Sequence, residues 1–209
     1  KKARHDKREN AEEIDLRPYM ELVALGTVAD IVPLVGENRI LAHYGLGRMN
    51  SPQSIGLKTL IHVVGIRDDV QAHHIGFQIG PRLNAAGRMG DADAALELLL
   101  TQDESRAKSI AMKLDHANRE RQEIELKISN EAGAEIAAAY DPKSTFGIVA
   151  AREDWHPGVI GIVASRIAQQ YYRPSIVIGI DEAGLGRGSC RSIEGFDLVE
   201  ALSNCGELL

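Results

Sequence analysis

Residues 146–180 read FGIVAAREDWHPGVIGIVASRIAQQYYRPSIVIGI. The run from Phe146 to Ala150 is short and β-prone, Val159 to Tyr172 has the spacing of an amphipathic helix, and Ser175 to Ile180 reads as a second, buried strand. Strand, helix, strand marks the start of an α/β domain. The turn between the first strand and the helix, Trp155-His156-Pro157-Gly158-Val159-Ile160-Gly161, puts glycines and a histidine at a helix N-terminus. Backbone N–H groups are free at such an end and the helix dipole is positive, which suits an anion. His156 can equally serve as the helix cap.

Beyond the second strand, Gly184 to Ser192 reads Gly-Leu-Gly-Arg-Gly-Ser-Cys-Arg-Ser, a glycine-rich loop or edge strand with two arginines and two hydroxyls. Backbone amides, serine hydroxyls and guanidinium groups can together wrap one phosphate. Phe196-Asp197-Leu198-Val199 then starts another helix, with an aspartate near its N-cap.

Upstream, Asp141-Pro142 closes a long helical stretch. Thr101 and Glu104 have capping-box spacing at its start. Ala107, Ile110, Leu114, Ala117, Ile124, Ile128 and Ala132 then keep a three-to-four residue spacing, giving one narrow apolar stripe on a charged rod. Unbroken from Asp103 to Tyr140 it would span roughly 55 Å, with Gly133 a candidate break. So little apolar surface predicts a connector rather than a core element.

Before the rod comes Gly80-Pro81-Arg82-Leu83-Asn84-Ala85-Ala86-Gly87-Arg88-Met89. Two arginines and an asparagine among small residues put long donor side chains on backbone that can approach a ligand closely, a combination suited to a phosphodiester. The plainer alternative is a turn before a helix with both arginines solvated. Earlier still, Asn38 to Asn50 and Ile55 to Gly65 read as short amphipathic helices, and a helix opening at Pro18 is ended or bent by Gly26. Asp30 follows, embedded in Thr27-Val28-Ala29-Asp30-Ile31-Val32-Pro33-Leu34. An ionised carboxylate in an apolar surround needs a metal, an arginine or a capping role, and the residues alone leave these open. His73 and His74 are adjacent and do not share one face of a regular element, which argues against a metal pair. Lys1 to Glu13 carries alternating charges without apolar periodicity and reads as an exposed arm.

The 209 residues are 44% hydrophobic and 26% charged, an ordinary globular balance, while aromatics are only 4%, so the core must be aliphatic. Cys190 and Cys205 lack metal-ligand spacing and are too few for a disulfide scaffold; with no apolar run long enough to cross a bilayer, the chain reads as cytoplasmic. A net charge of −6 argues against a protein that coats nucleic acid through a basic surface, yet it fits acidic metal ligands beside a local basic track.

The segments GTVAD, GPRLNAAGRM, WHPGVIGIVASR and GRGSCRS, in that order and bridged by a helix carrying Asn118-Arg119-Glu120-Arg121-Gln122-Glu123, closely resemble the RecJ group of single-strand-specific 5′ exonucleases in the DHH phosphoesterase superfamily. The resemblance runs from about Leu16 to Leu209. It implies an α/β chain made of the mostly helical end of a DHH domain (1–102), a connecting helix (103–140) and the start of an α/β DHH-associated domain (141–209). It also implies two divalent ions, manganese or magnesium, and a substrate of single-stranded DNA in repair and recombination, with a single-strand-binding protein and a helicase as partners. Residue by residue, Asp30 matches a metal ligand at the catalytic centre. Arg82, Asn84 and Arg88 match the segment facing the substrate backbone. His156 and Arg166 match the associated domain's helix motif, and Ser189 and Arg191 its phosphate-binding loop at the 5′ end.

The family's DxD motif, its next aspartate, the Asp-His-His triplet and its glycine-glycine-histidine motif are absent from the 209 residues. They are expected before Lys1 and after Leu209, which makes the chain an internal piece of a longer enzyme, inactive alone, because one aspartate cannot hold two ions about 4 Å apart. Two rivals are a phosphodiesterase for short oligonucleotides or cyclic dinucleotides, which would lack the long linker, and a noncatalytic nucleic-acid-binding relative, in which Asp30 would have no reason to persist.

Overall fold

A computed structural model describes residues 15–206, so the charged stretch from Lys1 to Glu13, expected to be an exposed arm, lies outside the described residues. Within them the chain is mostly helical with one small mixed sheet, the fold class expected from the sequence. It divides into two compact units, one running up to Ala86 and then over Asp91–Ala117, the other comprising Gly87–Gly90 and the chain from Asn118 onward. No helix among the described residues is long and apolar enough to cross a membrane.

In the first unit, a 3-10 turn at Arg17–Tyr19 leads into α1 (Met20–Ala29), followed by α2 (Gly36–Met49) and α3 (Ile55–Val64). Gly26, expected to end or bend the first helix, lies inside α1: its carbonyl accepts from the Asp30 N–H at 3.0 Å, so the hydrogen-bond ladder passes through it. Ser54 caps α3 by accepting from the Leu57 N–H, and Gly65 ends it in a left-handed turn at φ 84. The buried Glu21 of α1 accepts from the backbone N–H groups of Gln53 and Ser54 at 3.0 and 2.9 Å, tying α1 to the approach of α3.

The Gly80 to Met89 stretch departs most from its sequence reading. It is neither a loop nor a turn: α4 (Ala72–His74), a π-helical turn (Ile75–Ile79) and α5 (Gly80–Arg88) follow one another without a break. A proline inside a helix ordinarily clashes with the carbonyl four residues back. The π turn widens the helix just before Pro81, with the Gly80 N–H bonded to the Ile75 carbonyl five residues back. A Cβ at Gly80 would stand 2.8 Å from that same oxygen, so glycine is what lets the widened turn close.

After α6 (Asp93–Leu100), α7 (Glu104–Ala139) is a continuous helix of 36 residues that passes through Gly133 unbroken. Its N-cap is Asp103, which accepts from the Ser105 and Arg106 N–H groups at 2.7 and 3.0 Å, rather than Thr101. The Thr101 hydroxyl instead accepts from the Asp103 N–H, because the helix begins two residues later than capping-box spacing implies. The narrow stripe is core material after all. Ala107, Ile110, Ala111 and Leu114 are buried with Leu25, Met49, Leu57, Leu60, Ile75, Ile79 and Leu98 in the first unit. Ile128, Ala132 and Ile136 are buried in the core of the second. Alanines let neighbours approach closely, so a narrow stripe suffices.

In the second unit, β1 (Ile148–Glu153) pairs in parallel with β2 (Ser175–Ile180), Ile148 opposite Ser175 and Glu153 opposite Ile180. β3 (Gly186–Arg191) pairs antiparallel on the far side of β2, from Ser175 opposite Arg191 to Ile180 opposite Gly186, so the glycine-rich segment is an edge strand. The crossover helix α8 (Pro157–Tyr171) packs on β2 and β3 through Val159, Ile160, Val163 and Ile167. Asp197 caps the last helix, α9 (Leu198–Ser203), through the Val199 and Glu200 N–H groups.

Candidate functional site

The start of α8 gathers most of the residues singled out in the second unit. His156 is the N-cap, its Nδ1 accepting from the Gly158 N–H at 3.1 Å, with Pro157 in the first turn. Arg88 lies against the same turn. Its carbonyl packs so closely that a Cβ on Gly158 would be 2.2 Å away, and its Nη1 donates to the Gly158 carbonyl at 3.2 Å. The turn before the cap is anchored by the buried Trp155, whose Nε1 donates to Glu131 at 2.7 Å. That hydrogen bond, with the charges of Lys127 and Arg152, holds the Glu131 carboxyl below the usual carboxylate range against a smaller opposing effect of burial.

One turn further along α8, Gly161 leaves room for β3. A Cβ there would meet Ser189 Oγ at 2.9 Å and Arg191 Nη2 at 3.1 Å. The Arg191 guanidinium is oriented by three acceptors: Ser165 Oγ at 2.7 Å from Nε, and Ser189 Oγ at 3.2 Å and the Cys190 carbonyl at 2.7 Å from Nη1. The Ser165 hydroxyl in turn donates to the Gly161 carbonyl at 3.0 Å. Arg88 and Arg191 are exposed, and Ser189 and His156 half-buried. Two guanidiniums and a serine hydroxyl along one helix end make a donor-rich surface able to grip phosphate oxygens.

Arg166 does not join them. It projects from another side of α8, where Nη2 donates to Glu125 Oε1 at 2.5 Å and Nη1 reaches Ser129 Oγ at 3.5 Å. The other oxygen of Glu125 accepts from Arg121 Nη1 at 2.5 Å, and Arg121 Nη2 donates to Asn118 Oδ1 at 3.1 Å. Sequence reasoning gave Asn118, Arg121 and Glu125 no task. The signal was present: the apolar stripe of α7 skips from Ala117 to Ile124, and residues 118, 121 and 125 occupy one face across the gap.

In the first unit, helicity separates Arg82 from Asn84. Arg82 Nε donates to Asp115 at 2.8 Å and Nη1 to the Gln78 carbonyl at 2.7 Å, so this half-buried guanidinium ties α5 to α7. Asn84, two residues on, is exposed. Asp30 terminates α1, and the preceding Ala29 lies where it would meet a Cβ on Gly80 at 3.4 Å, which sets the end of α1 beside the start of α5. Asp30 is nevertheless exposed, as are Ile31 at 88% and Val35 at 70%, so the apolar surround expected around this carboxylate is not formed by the described residues. Ile31 adopts φ 55, turning the chain away from the helix. Among the described residues no group of three or more His, Cys, Asp or Glu side chains is placed to hold a metal ion. A two-ion centre needs several carboxylate or histidine ligands, and the described residues on their own do not fit it. His74 has a structural task, its Nδ1 accepting from the Gln71 N–H at 3.1 Å.

Comparison with known proteins accords with this layout. Residues 144–207 match the DHHA1 domain family. The single-stranded-DNA-specific exonuclease RecJ of Bacillus subtilis is 45% identical over 193 residues, covering 91% of this chain and 24% of that protein. The Haemophilus influenzae protein of the same name is 42% identical, over 88% of this chain and 32% of its own length. Among solved structures, RecJ in complex with Mg2+ from Thermus thermophilus matches with a TM-score of 0.80 at 37% identity, over 92% of this chain and 29% of that one. An exonuclease RecJ bound to manganese matches at 0.79 and 38%, over 92% and 47%. The chain thus spans about a quarter to a third of the length of these curated relatives. Over nearly its whole length the chain is similar, in sequence and in fold, to a portion of proteins named RecJ, and its residues 144–207 match the DHHA1 domain family.

Proposed function

We propose that this chain is part of a divalent-metal-dependent exonuclease that degrades single-stranded DNA from the 5′ end during repair and recombination in the cytoplasm. A single-strand-binding protein and a helicase would act beside it. In this reading residues 1–102 belong to the DHH domain, 103–140 to the connecting helix and 141–209 to the associated domain. Of the two solved structures named above, one is in complex with Mg2+ and the other is bound to manganese. Asp30 supplies one ligand of such a centre, and the chain by itself is inactive because the described residues do not complete the ligand set.

One observation carries the reading: Ser189 and Arg191 stand on Gly161 of α8, with Arg191 oriented by Ser165, one turn from the capped start of that helix where Arg88 is seated. Exposed guanidiniums held in place by neutral acceptors keep their charge for a ligand. Arg82 and Asn84 in the first unit, and Arg88, His156, Arg166, Ser189 and Arg191 in the second, are each assigned to strand binding, some by contact and some by holding another residue in place. Fluorescence anisotropy of labelled oligonucleotides tests this. The chain is expected to bind a 5′-phosphorylated single strand more tightly than its 5′-hydroxyl counterpart or a blunt duplex, and to cleave none of them with Mn2+ present. Losing a charge-assisted hydrogen bond costs about 1.5–3 kcal/mol, so Arg191→Gln should weaken binding at least about tenfold. Equal affinity for all three ligands would refute the reading.

A further inference from the structure

We propose that Glu125 is a positioning residue for the groups of α8 and β3 that grip the strand, acting through Arg166 and Arg121; this rests on the reading just given, that those groups hold phosphate. Its carboxylate bridges two guanidiniums, Arg166 Nη2 on one oxygen and Arg121 Nη1 on the other, both at 2.5 Å. The side chains of Glu125 and Arg121 are 10% and 11% exposed, whereas that of Arg166 is 56% exposed. Arg121 Nε is buried with no hydrogen-bond partner. Taking charges out of water costs most of what their attraction returns, so a cluster of this kind adds little net stability; what it can do is select one arrangement of the elements it joins.

The arrangement it selects bears on the phosphate-gripping groups. Arg166 is the neighbour of Ser165, about 100° further round the helix. Ser165 Oγ is the acceptor for Arg191 Nε at 2.7 Å. A single turn of α8 is therefore held from α7 through Arg166 and holds Arg191 through Ser165. When Glu125 is lost, the polar tie that fixes this turn of α8 against α7 is gone although the apolar packing of the two helices remains, and Ser165 shifts with the loosened turn. Arg191 then loses its orienting acceptor, and Ser189, bonded to the same guanidinium, is displaced. Glu125 and Arg166 thus act on the strand without touching it.

The test compares Glu125→Gln, Arg166→Gln and Arg191→Gln with the parent chain in two measurements. One is the affinity for a 5′-phosphorylated oligothymidylate across a potassium chloride series, and the other is hydrogen exchange of the β3 amides. Each phosphate contact to a single strand contributes about 0.7 to the slope of log affinity against log salt. Arg191→Gln is expected to lower that slope by about 0.7. Glu125→Gln and Arg166→Gln are expected to weaken binding several-fold with the slope unchanged, and to speed exchange in β3. A slope lowered by about 0.7 in Arg166→Gln would make Arg166 a direct phosphate contact and overturn the proposal. Parental affinity or parental β3 exchange in Glu125→Gln would overturn it as well. Should Arg166→Gln fail to fold, Glu125→Gln, which preserves side-chain size, decides. An unchanged slope in Arg191→Gln would instead refute the strand-binding reading, while the exchange data still report whether Glu125 governs β3.

Discussion

Replacing Gly161 by alanine should separate stability from binding. The added methyl group would stand 2.9 Å from Ser189 Oγ and 3.1 Å from Arg191 Nη2. Comfortable contact needs roughly 3.5 Å, so the serine hydroxyl must withdraw by about 0.6 Å and the guanidinium by about 0.4 Å. Both are the ends of side chains, so they can yield without the backbone moving, at the expense of the hydrogen bonds that Arg191 makes to Ser165 and Ser189. Meanwhile alanine is the better helix former by about 0.5–1 kcal/mol inside a helix, which offsets the crowding. Net stability should therefore stay within about 1 kcal/mol of the parent. Binding should suffer, because the displaced groups are those proposed to grip phosphate, and one charge-assisted hydrogen bond lost weakens affinity about tenfold or more. Urea unfolding and anisotropy on a 5′-phosphorylated single strand read the two effects separately. A variant that binds as the parent does would refute the assignment of Ser189 and Arg191, and one that loses several kcal/mol would refute the claim that side-chain ends alone absorb the methyl group.

Glu21→Ala removes the acceptor for two backbone N–H groups from a residue only 1% exposed, and should cost about 2–4 kcal/mol in denaturant unfolding; a loss below about 1 kcal/mol would mean that water replaces the carboxylate. Asp103→Ala removes the cap of α7 and should lower stability by about 1 kcal/mol, read from thermal unfolding, whereas Thr101→Ala should do less. Glu131 gives a pH signature. The Trp155 hydrogen bond depresses its folded pKa, so its contribution to stability is complete above the ordinary value of 4.5 and disappears as pH falls through the lower folded value. Trp155→Phe should therefore lose less stability than the parent on acidification below 4.5, measured as the difference between neutral and acid melting midpoints; an equal loss would show that the bond does not set that carboxylate.

Local chemistry made several elements readable in advance. Ser175 to Ile180 appears in the structure with those bounds because a strand buried in a sheet is a continuous apolar run, and the long helix follows from a three-to-four residue spacing kept on both sides of one gap. The Asp197 cap and the strand-helix-strand order around His156 were likewise written in neighbouring residues. The Gly80 to Arg88 segment was not, since its helicity depends on a π turn that begins five residues earlier and relieves Pro81. Nor did the sequence indicate that Arg82 would be held by Asp115, 33 positions away, or that Arg166 would turn from its neighbours toward Glu125, 41 positions away.

The order of the chain by itself determined the helical first unit, the rod, the α/β layer and the kinship of its motifs, because each is encoded by spacing and residue type over a few turns. Only tertiary structure decided which side chains share a surface: that Arg191, Ser189 and Ser165 meet over Gly161, that Arg166 joins Arg121 and Glu125 instead, and that Asp30 stands exposed at the end of α1. The physical reason is that a guanidinium or carboxylate finds its partner by the crossing of distant elements, and no local periodicity carries that information.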